Sequence, residues 1–165
     1  MPYSEGTKLA ETIRQKVKEF GDLCANVDEA TASKAPGDRW TPKQIVSHLL
    51  GHEGGGLTKA VEAYLHQDTP KLDLEPGNHF CTEARERMTF AGLVEAFKSE
   101  YGRMADVVAG LSSEQLARKA YIPKLKESPL GEYPTLAAFV GGLAEHHMSF
   151  HIDHMKEILQ ALGKI

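Results

Sequence analysis

No window of the 165-residue sequence approaches the roughly 18 continuous apolar residues that a membrane-spanning helix needs. Cysteine is scarce. Cys24 and Cys81 are the two present, far apart and without C-x-x-C spacing. A disulfide framework or a thiolate zinc site is therefore not expected, and a reducing cytoplasm is the expected compartment. The opening stretch, Met1-Pro2-Tyr3-Ser4-Glu5, lacks the basic and apolar regions of a secretory leader. Positive charge is not in excess, since 19 Lys and Arg face 23 Asp and Glu for a net −4. That balance gives no electrostatic case for nucleic acid or an anionic membrane as partner. Catalytic signatures are missing too. There is no Gly-x-Ser-x-Gly elbow and no strand pattern to carry one. Gly54-Gly55-Gly56 is not followed by the Lys-Ser/Thr of a phosphate-binding loop.

What remains is helical. A hydrophobic fraction of 41% with 25% charged residues suits one globular domain over residues 1–165. Leu9, Ile13, Val17, Phe20 and Cys24 recur at helical spacing opposite charged residues, which predicts a first helix from about Ser4 to Ala25. Trp40-Thr41-Pro42-Lys43-Gln44-Ile45 marks the start of the second. Thr41 and Gln44 can form a capping box, Pro42 suits the first helical position, and Trp40 and Ile45 occupy the two places of a hydrophobic staple. This helix carries His48 and His52 one turn apart. Val46, Leu50, Leu57, Val61 and Tyr64 line its far side, so it is buried on two faces or meets a partner subunit. The glycine triplet at 54–56 interrupts it, as a kink or a point of close approach. A long connection from Gln67 to about Met88 follows. The third helix begins near Thr89 with Leu93, Phe97, Met104, Val107 or Val108, and Leu111. A second long connection runs from Ser112 to Tyr133, with a short helical turn at Ser112-Ser113-Glu114-Gln115. Thr135 caps the last helix and Gly163 ends it. The expected fold is all-α: a four-helix bundle with long connections between helices two and three and between three and four.

The last helix holds Glu145-His146-His147-Met148-Ser149-Phe150-His151-Ile152-Asp153-His154, four of the chain's eight histidines. On an ideal helix His147, His151 and His154 fall within an arc of about 60°, continuing a seam of Val140, Leu143, Ile158 and Leu162. His147 and His151 can bind one metal from a single face. His48, at an equivalent inward address on the second helix, can complete a set of three that leaves positions open, as catalytic sites do. The rival reading is polar histidines lining a groove, without a metal. His154 could be a fourth ligand or a general base, but it is read first as a neighbour that orients a ligand or gates the site, with plain packing as the rival. His52 has the same choices. Glu53 and Asp153 are expected at the surface, as are His66 and His79, and His146 at the margin. The Glu-x-x-His pairs of a di-iron bundle do not occur.

Three segments together resemble the DinB-like (DinB/YfiT) superfamily. They are Trp40 to Leu49, the run from His147 to His154, and, more loosely, Leu93 to Leu111 with Phe97 and Arg103. The resemblance implies a four-helix bundle, often dimeric, holding a divalent metal, zinc or nickel, on three histidines. Carried across by motif, these are His48, His147 and His151. It also implies activities such as thiol S-transfer with a low-molecular-weight thiol, on a small-molecule substrate. A metal-dependent transferase or hydrolase is the expected function, with His154 as a catalytic neighbour and a non-catalytic metal-binding or stress-associated module as the alternative. The glycine triplet is not a feature of that pattern.

Overall fold

The computed structural model describes residues 4–165. Met1 to Tyr3, part of the stretch read as lacking a leader, lie outside the described residues. The first helix, α1 (Glu5–Cys24), starts where Ser4 accepts from the Thr7 backbone N–H. Ala10, Ile13, Phe20 and Cys24 are buried along it, while Leu9 and Val17 pack at its edge. Its N-terminal end lies so close to the third bundle helix that a Cβ on Gly6 would sit 2.4 Å from the Val108 carbonyl oxygen. A short helix, α2 (Glu29–Ala32), precedes the second bundle helix.

That second helix is two pieces, α3 (Pro42–Leu50) and α4 (Leu57–His66). The capping box is present as expected, with Thr41 and Gln44 each bonding the other's backbone N–H and Pro42 leading. Ile45, Val46 and Leu49 are all buried, so α3 is covered on two faces within the chain. The break is sharper than a kink. Gly51 and Gly56 both take positive φ, and a Cβ on Gly56 would sit 2.6 Å from the Leu50 carbonyl oxygen. Only glycine fits both the backbone angle and that approach. His52 therefore sits in a loop rather than one helical turn beyond His48.

The third bundle helix is α6 (Phe90–Ala109), capped by Thr89. Glu29 adds a second cap, its carboxylate accepting from the Phe90 N–H at 2.8 Å, where a negative charge meets the positive end of the helix. Leu93, Phe97, Tyr101, Met104 and Val108 are buried along it. Between the bundle helices come α5 (Glu83–Arg87) and α7 (Ser113–Leu116), the latter opening at Ser112 with its own capping box, and a 3₁₀ turn at Pro123–Leu125. The last bundle helix is composite: α8 (Leu136–Gly142), a π-helical turn (Leu143–His147) and α9 (Met148–Ala161). Thr135 caps it, and Gly163 at positive φ follows its end, both as expected.

Helix α1 packs against α6 and α9, and α3 packs against the same two. The first two bundle helices therefore sit across a diagonal, and the chain does not run as a simple up-and-down bundle. The long connections make this possible, and they are tied to each other. Leu72 N–H donates to the Tyr121 carbonyl at 2.9 Å and Tyr121 N–H to the Pro70 carbonyl at 2.8 Å. These are isolated bridges, and the described residues form no strand. No helix among them is long and apolar enough to cross a membrane.

Two arginines from the connections close the ends of the broken second helix. Arg118 donates to the Tyr64 carbonyl in the last turn of α4 and to the Gln67 carbonyl just past its end. Arg85, 7% exposed, lies within hydrogen-bond reach of the Ser47, Gly51 and Phe80 carbonyls and the Ser47 hydroxyl. Helix C-termini present unpaired carbonyls and a negative dipole end, so a cation there is doubly favoured. Replacing Arg85 with Ala leaves several buried acceptors unmet. The expected loss is about 2–4 kcal/mol of unfolding free energy in a urea titration. A loss below about 0.5 kcal/mol, within the range of ordinary surface changes, would mean that those carbonyls find other donors.

Candidate metal centre

Helices α3 and α9 are neighbours, and they bring His48, His147 and His151 together. Each ring offers one nitrogen, and the three nitrogens lie within 4.8 Å of one another. His48 and His151 are 8% and 4% exposed, and His147 is half-buried. The His48 Nδ1–H donates to the Asn78 carbonyl at 2.7 Å, which fixes its tautomer and leaves the Nε2 lone pair free. That Nε2 lies 3.2 Å from His147 Nε2. Two nitrogens at bonding distance from a tetrahedral zinc ion are about 3.3 Å apart, so the pair already has ligand spacing. An N–H···N hydrogen bond would also account for this pair, but not for the third imidazole closing on both. His147 Nδ1 is buried without a hydrogen-bond partner. Three imidazoles on two helices, one with its tautomer fixed from behind, fit a divalent cation that accepts nitrogen donors.

The electrostatics agree. Burial lowers the His48 pKa from its ordinary value, and burial with the nearby His48 ring takes His147 down to about 4. Burial followed by the neighbouring His147 and His48 rings pushes His151 further down. Neutral imidazole, the ligating form, is therefore the resting state of all three at neutral pH.

His154 touches this group through His151, with Nδ1 to Nδ1 at 3.3 Å, and burial lowers its pKa as well. Trp40, expected to staple the entry of α3, has its ring centroid 5.2 Å from His48, 5.7 Å from His79 and 5.8 Å from His154. The lone indole thus backs the imidazole cluster. His79 is half-buried against it and near Gln44, not the free surface residue expected. His66 is exposed, as expected. His52 pairs with Glu75 at 2.6 Å, and Glu53 accepts from Thr82, so neither orients a ligand. Asp153 is exposed.

The seam expected along the last helix is displaced. Val140, Ala144, Met148, Ile152, Met155 and Ile158 carry the core, while Leu143 is only half-buried. The π turn has one extra residue, which rotates the rest of the helix about its axis. His147 consequently faces a groove, while His151 is buried and, like His154, lies off the groove wall. That rotation also brings His146, expected at the margin, to the groove wall. Sequence periodicity at 100° per residue cannot detect such a turn; Gly141-Gly142 just before it is the faint signal.

The groove is a cavity of 870 Å³ bounded by α4, the last helix and the two connections. His48, His146 and His147 are on its wall. Neither cysteine supplies a nucleophile here. Cys24 is buried and free, and burial followed by Glu86 pushes the Cys81 thiol up to about 11.

No curated protein matches the chain. A solved structure does: YfiT from Bacillus subtilis, described as a probable metal-dependent hydrolase with an unusual four-helix bundle topology. The likeness has a TM-score of 0.74 at 20% identity and covers 99% of this chain and 90% of that one. At that identity the likeness establishes the four-helix-bundle fold. The family model of the DinB superfamily matches residues 12–156, which reach into all four bundle helices and include the three clustered histidines, so this chain belongs to the DinB superfamily.

Proposed function

We propose that the protein is a metal-dependent enzyme, in which His48, His147 and His151 hold a divalent ion beside the cavity. The observation that carries this reading is the convergence of three neutral imidazole nitrogens within 4.8 Å, two of their rings, His48 and His147, lining an 870 Å³ cavity. Zinc is the first choice of metal and nickel the second, since imidazole suits both. The bound ion would supply Lewis acidity and would favour the deprotonated form of water or of a small thiol. The substrate is then a small electrophile. Hydrolysis and thiol S-transfer differ only in which nucleophile the cavity admits.

The chain's own residues have separable tasks. Asn78 holds His48 in the tautomer that presents Nε2. His154 bonds His151 and is not on the cavity wall, so its proposed role is to position that ring. His146, exposed on the wall next to His147, is the group placed to accept or return a proton. Both cysteines are held as thiols, which leaves the nucleophile to come from outside the chain. A closed structural metal would need a fourth strong donor, and among the described residues no further His, Cys, Asp or Glu joins the group.

The test is an assay of ester hydrolysis and of thiol conjugation to a generic electrophile, using untagged protein. Wild type should turn over at least one class, and His151→Ala should lose roughly a hundredfold or more of that rate. Equal rates for the two proteins would leave the non-catalytic module as the better account. His154→Ala should weaken metal binding about 10- to 100-fold while retaining stoichiometric uptake at saturation, as expected of a residue that orients a ligand. Unchanged affinity by metal titration would reduce His154 to packing.

A further inference from the structure

We infer that the cavity beside the three histidines takes an amphipathic anion: a molecule with a linear or flat apolar body and one negatively charged head. This deepens the metal-enzyme reading by naming a substrate class. It rests on that reading only for the word substrate, because the binding itself is tested without metal.

The lining makes the first half of the case. Leu57, Leu72, Leu74, Phe80, Leu130 and Phe139 come from α4, both connections and the last helix, and all present apolar side chains to the same space. At 870 Å³ the space lies within the ~300–1,000 Å³ of typical ligand sites and far exceeds what water or a compact thiol fills. Apolar walls of that extent, lining a space rather than packing on one another, match a ligand with hydrocarbon to bury.

The charges on the wall make the second half. Lys59, Lys124, Asp73 and Glu75 all line the cavity. The two carboxylates are already engaged: Asp73 lies 3.8 Å from Lys71, and Glu75 lies 2.6 Å from His52. Neither lysine has a carboxylate within 4.0 Å among the described residues. Asp73 has its partner, Lys71, outside the lining, whereas Glu75 bonds the His52 ring on the wall itself and keeps its charge. With Lys71 counted, three ammonium groups meet two carboxylates around an otherwise apolar wall, and the two lysines without a carboxylate partner are the groups placed to meet an anionic head. Lys59 stands on α4 and Lys124 on the 3₁₀ turn, so the two cations come from separate elements of the wall.

Three probes with one chain length and three charges test this: octanoate, 1-octanol and octylamine, the last protonated at pH 7. Each is titrated calorimetrically into the full chain, as purified and after chelator stripping. Octanoate should bind saturably at one site, about tenfold tighter than octylammonium, with 1-octanol between them. Hexanoate, octanoate and decanoate should each differ from the next by roughly four- to sixteenfold for two methylenes. The double variant Lys59→Met/Lys124→Met should bring octanoate and octylammonium to within about twofold while leaving 1-octanol unchanged. Neither lysine is in the core, so folding is not at risk. The inference is overturned if no probe binds saturably, if octanoate and octylammonium bind wild type equally, or if the lysine variant keeps the full preference. Octanoate binding that vanishes on stripping would also overturn it, by assigning the head to the metal instead. Failure of the metal reading looks different: octanoate then still binds, and no metal is found.

Discussion

His48→Ala purified without a histidine tag is expected to carry less than about 0.1 equivalents of divalent metal, against about one for wild type loaded under the same conditions. The reasoning is geometric. His147 and His151 alone are an i, i+4 pair on one helix, able to bind metal weakly, and His48 is the ligand that comes from a second helix. Its loss also frees the Asn78 carbonyl, which currently accepts from His48 Nδ1–H. Because α3 and α9 are joined through this set, the wild-type protein should gain thermal stability on metal addition and the variant should not. Elemental analysis and melting curves with and without chelator decide the matter. Equal metal content in wild type and His48→Ala would rule out the three-histidine set. So would a wild type that holds no metal and melts identically after chelation.

Acid should destabilise the metal-free protein in a window where few other groups titrate. His147 is held down to about 4 in the folded chain, against about 6.5 when unfolded. A base with a depressed folded pKa contributes its full share of stability above the unfolded value, and that share is lost as pH falls towards the folded value. Between those limits the unfolded chain carries a proton that the folded chain refuses. The gap is worth roughly 3 kcal/mol for His147 alone, and His48, His151 and His154 shift in the same direction. Urea titrations of stripped protein at pH 7.5 and 5 should therefore differ by at least about 2 kcal/mol. His147→Leu should flatten that dependence. A flat profile in wild type would mean that these rings protonate freely in the fold. Since neutral rings persist below pH 6.5, metal affinity should also survive to lower pH than free imidazole would allow.

Much of this was legible in the residues. The capping box at Thr41 and Gln44 fixes where α3 begins, and from there His48 can only point inward beside Ile45 and Leu49. The caps at Ser4, Thr89, Ser112 and Thr135 are local signals, satisfied within three residues, and local signals survive folding. The features hidden from a sequence reading are non-local or aperiodic. Glycines at 51 and 56 need positive φ, but sequence alone could not choose between a kink and a full break. His52 was carried along a helix that had already ended. Asn78 meets His48 only because a long connection folds back, and nothing in its neighbourhood announces that. The pairing of Leu72 with Tyr121 joins residues from different connections, so no motif could encode it.

The π turn at Leu143–His147 is a dislocation in an otherwise regular lattice, and it makes chain length itself a determinant of the site. A substitution among the histidines removes one imidazole. Losing one residue from that turn would only heal the dislocation, whereas gaining one more would rotate everything beyond it by about 100°. With a residue gained, the helix would keep its caps, its length to within one residue and its apolar content, yet His151 would no longer face α3. Most surface loops absorb a one-residue change without consequence, whereas here the count of residues between Thr135 and His151 is as much a part of the centre as the imidazoles.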